Sequence, residues 1–277
     1  MREHVLILRI LNAKKRLMSF IETTGSFAMQ RATSFAQMIS FAAAVFYRLF
    51  MLGTYNSATR TVLVNQIYFT SIQILPAFLA VSVLFGSVLI GIVFQLLKNL
   101  GLTDLFGNVL MGLIVTELSP LFTVLLITLR SGAAINTEMA AMKVNQEIKT
   151  LETFRIDVIN YLLAPRVVNG IISVVLLSFL FSIVLMGSGI LFSRVIFGIS
   201  ADVYVNILLN STNFSDIVIA LVKCAVFGFF ITFIPIYFGL RATHELTSIP
   251  IVVSRGMVSV FAAILIIEVL SLLTKLM

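Results

Sequence analysis

Charge is scarce in this sequence. Only 11% of its 277 residues are Asp, Glu, Lys or Arg, while 60% are hydrophobic. Soluble domains average about 25% charged residues. A soluble fold of this length cannot hide so much apolar surface, and the bilayer is the solvent that fits. The deficit is also concentrated. No charged residue occurs from Thr61 to Leu97, and none from Val167 to Ser193. Each run exceeds the roughly 20 residues needed to cross about 30 Å of hydrocarbon.

Other absences narrow the function. Cys224 is the only cysteine, so the chain cannot form an internal disulfide. The two histidines, His4 and His244, lie at opposite ends, which excludes a His/Cys metal cluster. There is no G-x-x-x-x-G-K-[ST] loop, so this chain is not expected to hydrolyse ATP. Neither a G-x-S-x-G elbow nor an H-E-x-x-H pair occurs, and no histidine falls in an apolar span. Arg9, Lys14, Lys15 and Arg16 interrupt Met1 to Phe20, so no cleavable signal peptide is expected there. The net charge of +7 is carried by basic groups that flank apolar runs, with no basic stripe interleaved with aromatics. No nucleic-acid partner is expected.

What is present reads as an all-α integral membrane protein. Five spans are expected near Tyr68–Leu97, Phe106–Leu129, Val167–Ser193, Ile217–Leu240 and Ile251–Leu273. Lys and Arg alternate between the connections. The segment before span 1 is rich in them, the first loop holds Lys98 alone, and the second holds Arg130, Lys143, Lys149, Arg155 and Arg166. The third holds only Arg194, and the fourth Arg241 and Arg255. The positive-inside rule then places the N-terminus in the cytoplasm and the C-terminus outside. Residues 1–60 are expected to form an interfacial region ahead of a membrane domain over 61–277. Phe35, Ile39, Ala42, Phe46 and Leu49 recur at helical spacing, and Gly53 is a plausible stop. The alternative is a sixth span over Phe27–Leu52, although Arg31 and Arg48 bracket only about 16 residues of it. Ser82/Gly86 and Ser87/Gly91 give the small-xxx-small spacing that lets helices approach closely in lipid.

Two charges fall inside the spans. Glu117 lies about 11 residues into span 2, and Lys223 about six into span 4 from the same side, a depth offset of about 7 Å. A lysine stem can cover much of that. Either the two form a buried pair that holds the bundle, or they line a path and meet a lipid headgroup. Leu75, Phe78, Leu79, Val83 and Leu89 of span 1 are candidates for an apolar path wall or for a lipid-facing surface. Glu268 and Arg255 read as interfacial flanks of span 5.

The long polar segment Arg130–Arg166 reads LRSGAAINTEMAAMKVNQEIKTLETFRIDVINYLLAPR with Leu129. Ala141, Val144, Ile148 and Leu151 share one helical face, and Lys143, Gln146, Glu147 and Thr150 the other. Such a helix either covers its own bundle or presents charges to a soluble partner. Pro165 suits the first turn of span 3.

This stretch, with ELSPLF at Glu117–Phe122, resembles the MlaE/YrbE permeases of MCE-type lipid transporters. Those typically show ELGP, then GRxGxAxxAExxxM, then a PR before the next span. Here Ser119 replaces the ELGP glycine, Leu129–Arg130 stands for GR, and Val158 rather than proline follows Asp157. The resemblance implies a non-catalytic permease in the inner membrane, paired as a homodimer around a lipid-sized cavity. It implies two cytoplasmic ABC ATPases that bind ATP and Mg, an MCE-domain protein on the outer side, and phospholipid or a related lipid as cargo. The segment 130–166 then resembles a coupling helix, with Lys143, Glu147 and Glu152 facing the ATPase. Two alternatives remain: an ion-coupled secondary transporter using Glu117 as its protonatable site, although no repeated halves occur, and a membrane scaffold that moves nothing.

Overall fold

The computed structural model describes residues 36–48, 63–64, 66–198, 200–243 and 245–276. The chain divides into two units, Met1–Phe50 and Met51–Met277. In the first, residues 36–48 form a helix, α1. Its Ile39 and Phe46 are each about half exposed. Phe35, Leu49 and Gly53 lie outside the described residues, as do His4, His244 and much of Phe27–Leu52.

The second unit is helical, with no strand among its described residues. Its elements are α2 (Leu75–Asn99), α3 (Thr103–Val144), α4 (Glu147–Thr153), α5 (Ala164–Phe197), α6 (Ala201–Asn210), α7 (Phe214–Gly239) and α8 (Ser248–Leu276). Among the described residues, five helices are long and apolar enough to cross a membrane: Thr70–Asn99, Thr103–Val144, Ile159–Ile190, Phe214–Gly239 and Ser248–Lys275. The chain is a multi-pass membrane protein.

Three of the spans contain a wide π turn just ahead of a proline. Tyr68–Ile72 precedes Pro76, Met111–Leu118 precedes Pro120, and Ile159–Leu163 precedes Pro165. A proline has no N–H to give, and its ring crowds the carbonyl four residues back. The wider i→i+5 turn moves that carbonyl away. In lipid, where no water can bond a stranded carbonyl, this keeps the helix continuous through the proline.

Helix α5 is the post around which the others stand. It packs along α2, α3 and α7, and α7 in turn contacts α8 and the Ala133–Val144 end of α3. The closest approach is between α5 and α7. A Cβ on Gly228 would sit 2.5 Å from Ile171 Cα and 2.7 Å from the Gly170 carbonyl oxygen. Both are backbone atoms that cannot step aside. A Cβ on Gly86 would sit 2.5 Å from Ser188 Oγ and 2.9 Å from the Leu185 carbonyl oxygen of α5, whereas Gly91 faces open space. Of the two small-residue pairs, only Ser82/Gly86 is supported by a glycine at a helix contact.

Polar side chains tie the same post to its neighbours. Ser119 Oγ donates to the Ser178 carbonyl at 2.5 Å. Ser71 Oγ donates to Ser173 Oγ at 2.7 Å, Ser173 to Asn169 Oδ1 at 3.0 Å, and Asn169 Nδ2 to Thr70 Oγ1 at 3.1 Å. Aromatic packing fills the space between these bonds, with Phe78 edge-on to Phe181 and Phe122 stacked on it.

Three expectations change. The helix of span 2 does not stop near Leu129. It continues to Val144, 42 residues in all, because Ala133, Ala134, Glu138, Met139, Ala140, Ala141, Met142 and Lys143 are good helix formers. The amphipathic helix expected through Ala141–Leu151 is broken at Gln146, whose φ of 59° is left-handed, so α3 and α4 are separate. Helix α6 was not foreseen. It is too short to span, is capped by Ser200 Oγ accepting from Val203 N, and buries Tyr204, whose hydroxyl donates to the Met186 carbonyl at 3.2 Å.

Replacing Gly228 by leucine should force α5 and α7 apart and cost about 1–3 kcal/mol or more by overpacking. The change should lower the melting temperature of the detergent-solubilised protein. Gly91→Leu should leave it near the wild-type value.

Candidate functional site

Four charged side chains from three helices meet inside the bundle. Glu117 sits in the π turn of α3, Lys223 in the middle third of α7, and Glu268 and Lys275 in the last third of α8. Lys223 Nζ lies 2.5 Å from Glu117 Oε2 and 2.9 Å from Glu268 Oε2. The second contact is an ion pair without hydrogen-bond alignment. Lys275 Nζ lies 2.5 Å from Glu117 Oε1 and also donates to Thr116 Oγ1. The Thr116 carbonyl accepts from Lys223 at 3.4 Å. Two ammonium and two carboxylate groups thus balance in one place. An isolated charge at this depth costs about 2.5–3.5 kcal/mol on insertion scales, and mutual pairing is what makes four tolerable.

Access to the four is unequal. Lys223 is 4% exposed, Glu117 11% and Glu268 12%, while Lys275 is 31% exposed. Lys223 is locked at the centre, and Lys275 reaches in from the rim.

The structure therefore brings Glu117 and Lys223 together. Glu268, expected as an interfacial flank, is partly buried with its carboxylate paired to Lys223, and α8 runs three residues beyond the expected end of span 5. Lys275 lay outside that expected span and drew no attention, and the depth of Glu268 within an apolar run was the signal that pointed inward. Arg255 is exposed, as expected of a flank. Among the span 1 candidates, Phe78 is fully enclosed against Phe181 and packs the core, Val83 is exposed, and Leu75, Leu79 and Leu89 are intermediate.

At the other end of α3, Lys143 is half-buried, while Glu147 and Glu152 are exposed on α4. Ile148 is buried, and Val144 packs against a cluster of Ala140, Ala242 and Val252. The polar residues of the expected amphipathic helix thus stay outward although the helix is broken. Sequence reasoning quoted Glu138 and Arg166 without pairing them. Arg166, 5% exposed at the start of α5, bonds Glu138 of α3 and reaches Met139 Sδ at 3.2 Å. Buried Asn136 donates from Nδ2 to the Val252 carbonyl at 3.4 Å and the Val253 carbonyl at 3.5 Å of α8.

These contacts fall on the residues that carry the sequence signature, and the signature extends over the bundle. The family profile described as Permease MlaE matches residues 63–274. The chain belongs to the MlaE permease family. Several relatives share the match. The Intermembrane phospholipid transport system permease protein MlaE of Haemophilus influenzae is 28% identical over 183 residues, 64% of this chain and 68% of that protein. A Probable ABC transporter permease protein of Rickettsia felis is 26% identical over 235 residues, 84% of this chain and 85% of that one. The Arabidopsis thaliana protein TRIGALACTOSYLDIACYLGLYCEROL 1, chloroplastic, is 34% identical over 131 residues, 46% of this chain but 36% of the plant protein. The chain thus spans about a third of the plant relative's length.

The departures from the MlaE pattern have local accounts. Ser119, in place of the glycine, is fully buried and spends its hydroxyl on Ser178 of α5. Val158, in place of proline, follows Asp157, whose carboxylate still caps the helix by accepting from Ile159 N at 3.0 Å and Asn160 N at 3.4 Å. An Asp cap works with either residue at the first helical position.

Lys223→Met should leave two carboxylates sharing one lysine and cost about 3–5 kcal/mol, the penalty for orphaning a buried charge. Lys223→Met combined with Glu268→Gln leaves the Glu117–Lys275 pair balanced and should recover much of that loss. A double-mutant cycle on thermal unfolding reads the difference, and simple addition of the two single losses would argue against the balanced cluster.

Proposed function

We propose that this chain is the membrane-spanning permease subunit of an ABC-type transporter that moves phospholipid or a related lipid. The observation that carries the reading is the Permease MlaE match over residues 63–274, which takes in the whole of α2 to α7 and nearly all of α8. The relative in Haemophilus influenzae, named as a phospholipid transport permease, supports the cargo class. On this reading the chain is non-catalytic. ATP and Mg are bound by separate ATPase subunits, two copies of the chain pair in the inner membrane, and an MCE-domain protein receives or delivers lipid on the outer side. The N-terminus is cytoplasmic and the C-terminus periplasmic.

Coupling falls to α4 and the adjoining end of α3, with Lys143, Glu147 and Glu152 as candidate contacts for the ATPase. The physical support is continuity. Thr103–Val144 is one helix that carries Glu117 at one level and ends directly against α4. At 1.5 Å per residue, the stretch from Glu117 to Val144 is about 40 Å of rod. Left-handed Gln146 separates α4 from it, and on this reading a push on α4 acts on the rod through that short corner. The ion-coupled alternative needs a carboxylate without a resident counter-ion, and Glu117 holds two ammonium groups.

Reconstitution tests the reading. Co-expressed with its ATPase, the chain should pull that subunit down in equal amounts, and labelled phospholipid should move in proteoliposomes only with ATP present. Glu147→Lys with Glu152→Lys should reduce ATPase recovery at least severalfold while the chain itself still folds. Lipid or proton-driven uptake by the chain alone would sink the proposal.

A further inference from the structure

Lys275 stands apart from the rest of the charge cluster. It is the most exposed of the four, and it sits in the last turn of α8, where carbonyls lack intrahelical partners and the helix opens most easily. Its ammonium lies between Glu117 Oε1 and Thr116 Oγ1. These oxygens form a seat for a primary ammonium, which has three N–H groups to place. Without Lys275 the remaining group, Glu117, Glu268 and Lys223, carries one excess negative charge at a depth where an unmatched charge is costly. A cation in the place of Lys275, or a proton on one of the carboxylates, restores the balance.

We propose that Lys275 is a built-in stand-in for the ammonium of an amine-bearing lipid headgroup, and that such a headgroup takes its place beside Glu117 and Thr116 when the last turn of α8 swings away. This rests on the lipid-permease reading and narrows its cargo to lipids with a free amine. Lys223 does not exchange, because it is enclosed and bridges both carboxylates. Lys275 does, because it holds one carboxylate from the rim.

The test is lipid retention, measured without ATP or nucleotide, so that it stands or falls separately from the transport assay. The complex is purified as wild type, Lys275→Arg and Lys275→Met, and loaded from nanodiscs holding equal phosphatidylethanolamine and phosphatidylglycerol. The bound lipid is then read by native mass spectrometry. Emptying the seat should raise the ratio of retained ethanolamine to glycerol lipid about tenfold in Lys275→Met, on the scale of one charge-assisted bond. Lys275→Arg should stay at the wild-type ratio. N-acylated phosphatidylethanolamine, which lacks the ammonium, should show no gain, and Glu117→Gln added to Lys275→Met should abolish it. An unchanged ratio in Lys275→Met, or an equal gain for phosphatidylglycerol, overturns the proposal. Free ethanolamine displacing the lipid at equal concentration would assign the seat to a soluble amine and overturn the headgroup. Should Lys275→Met not accumulate, Lys275→Gln makes the same comparison with an uncharged side chain.

Discussion

Hydrocarbon offers no partner to a polar group, so every N–H, carbonyl and charge that enters it must be answered from within the chain. The helices answer the backbone. The prolines are the places where that answer is threatened, and the turns ahead of Pro76, Pro120 and Pro165 are wide where a regular α-turn would collide. The hydroxyls answer one another across helix contacts: Ser119 to Ser178, and Ser71 to Ser173 to Asn169 to Thr70. These bonds are local, short and directional. They fix the rotation of α3 and of the start of span 1 about α5, which apolar packing alone would leave loose.

The same demand explains why the charges come as a group. A lone Lys223 would leave a buried charge without a partner. With Glu117 on one side and Glu268 on the other, it becomes the bolt through three helices. Glycines at the α5–α7 contact and at the α2–α5 contact let those backbones approach closely.

The sequence reveals five spans because long charge-free runs have no other home, and it reveals Glu117 and Lys223 because a charge within such a run stands out. It hides what depends on where helices end and how they turn. The continuation past Leu129 does not show in the sequence because Ala133–Val144 is polar enough to look like a separate helix outside the bilayer and helical enough to carry the helix of span 2 onward. Glu268 looked like a flank because its depth depends on an end of α8 that hydropathy locates only to within a few residues. The break at Gln146 follows from a backbone angle that no residue type announces, and α6 is too short to register as a span. Lys275 belongs to the cluster only through the three-dimensional meeting of α8 with α3.

The two ends of α3 are built differently, and the difference bears on how force could pass along it. Near Glu117 the helix carries the eight-residue π stretch Met111–Leu118, and near Arg130 a second, Thr128–Gly132. Such π turns are rare and occur frequently at functional sites. Beyond them Ala133–Val144 is regular and clamped, with Asn136 on α8, Glu138 on Arg166 and Met139 against Gly239 of α7. On the proposed coupling reading, a push on α4 meets this clamped end first, and the stretch Thr128–Gly132 lies between it and the stretch Met111–Leu118 that holds Glu117.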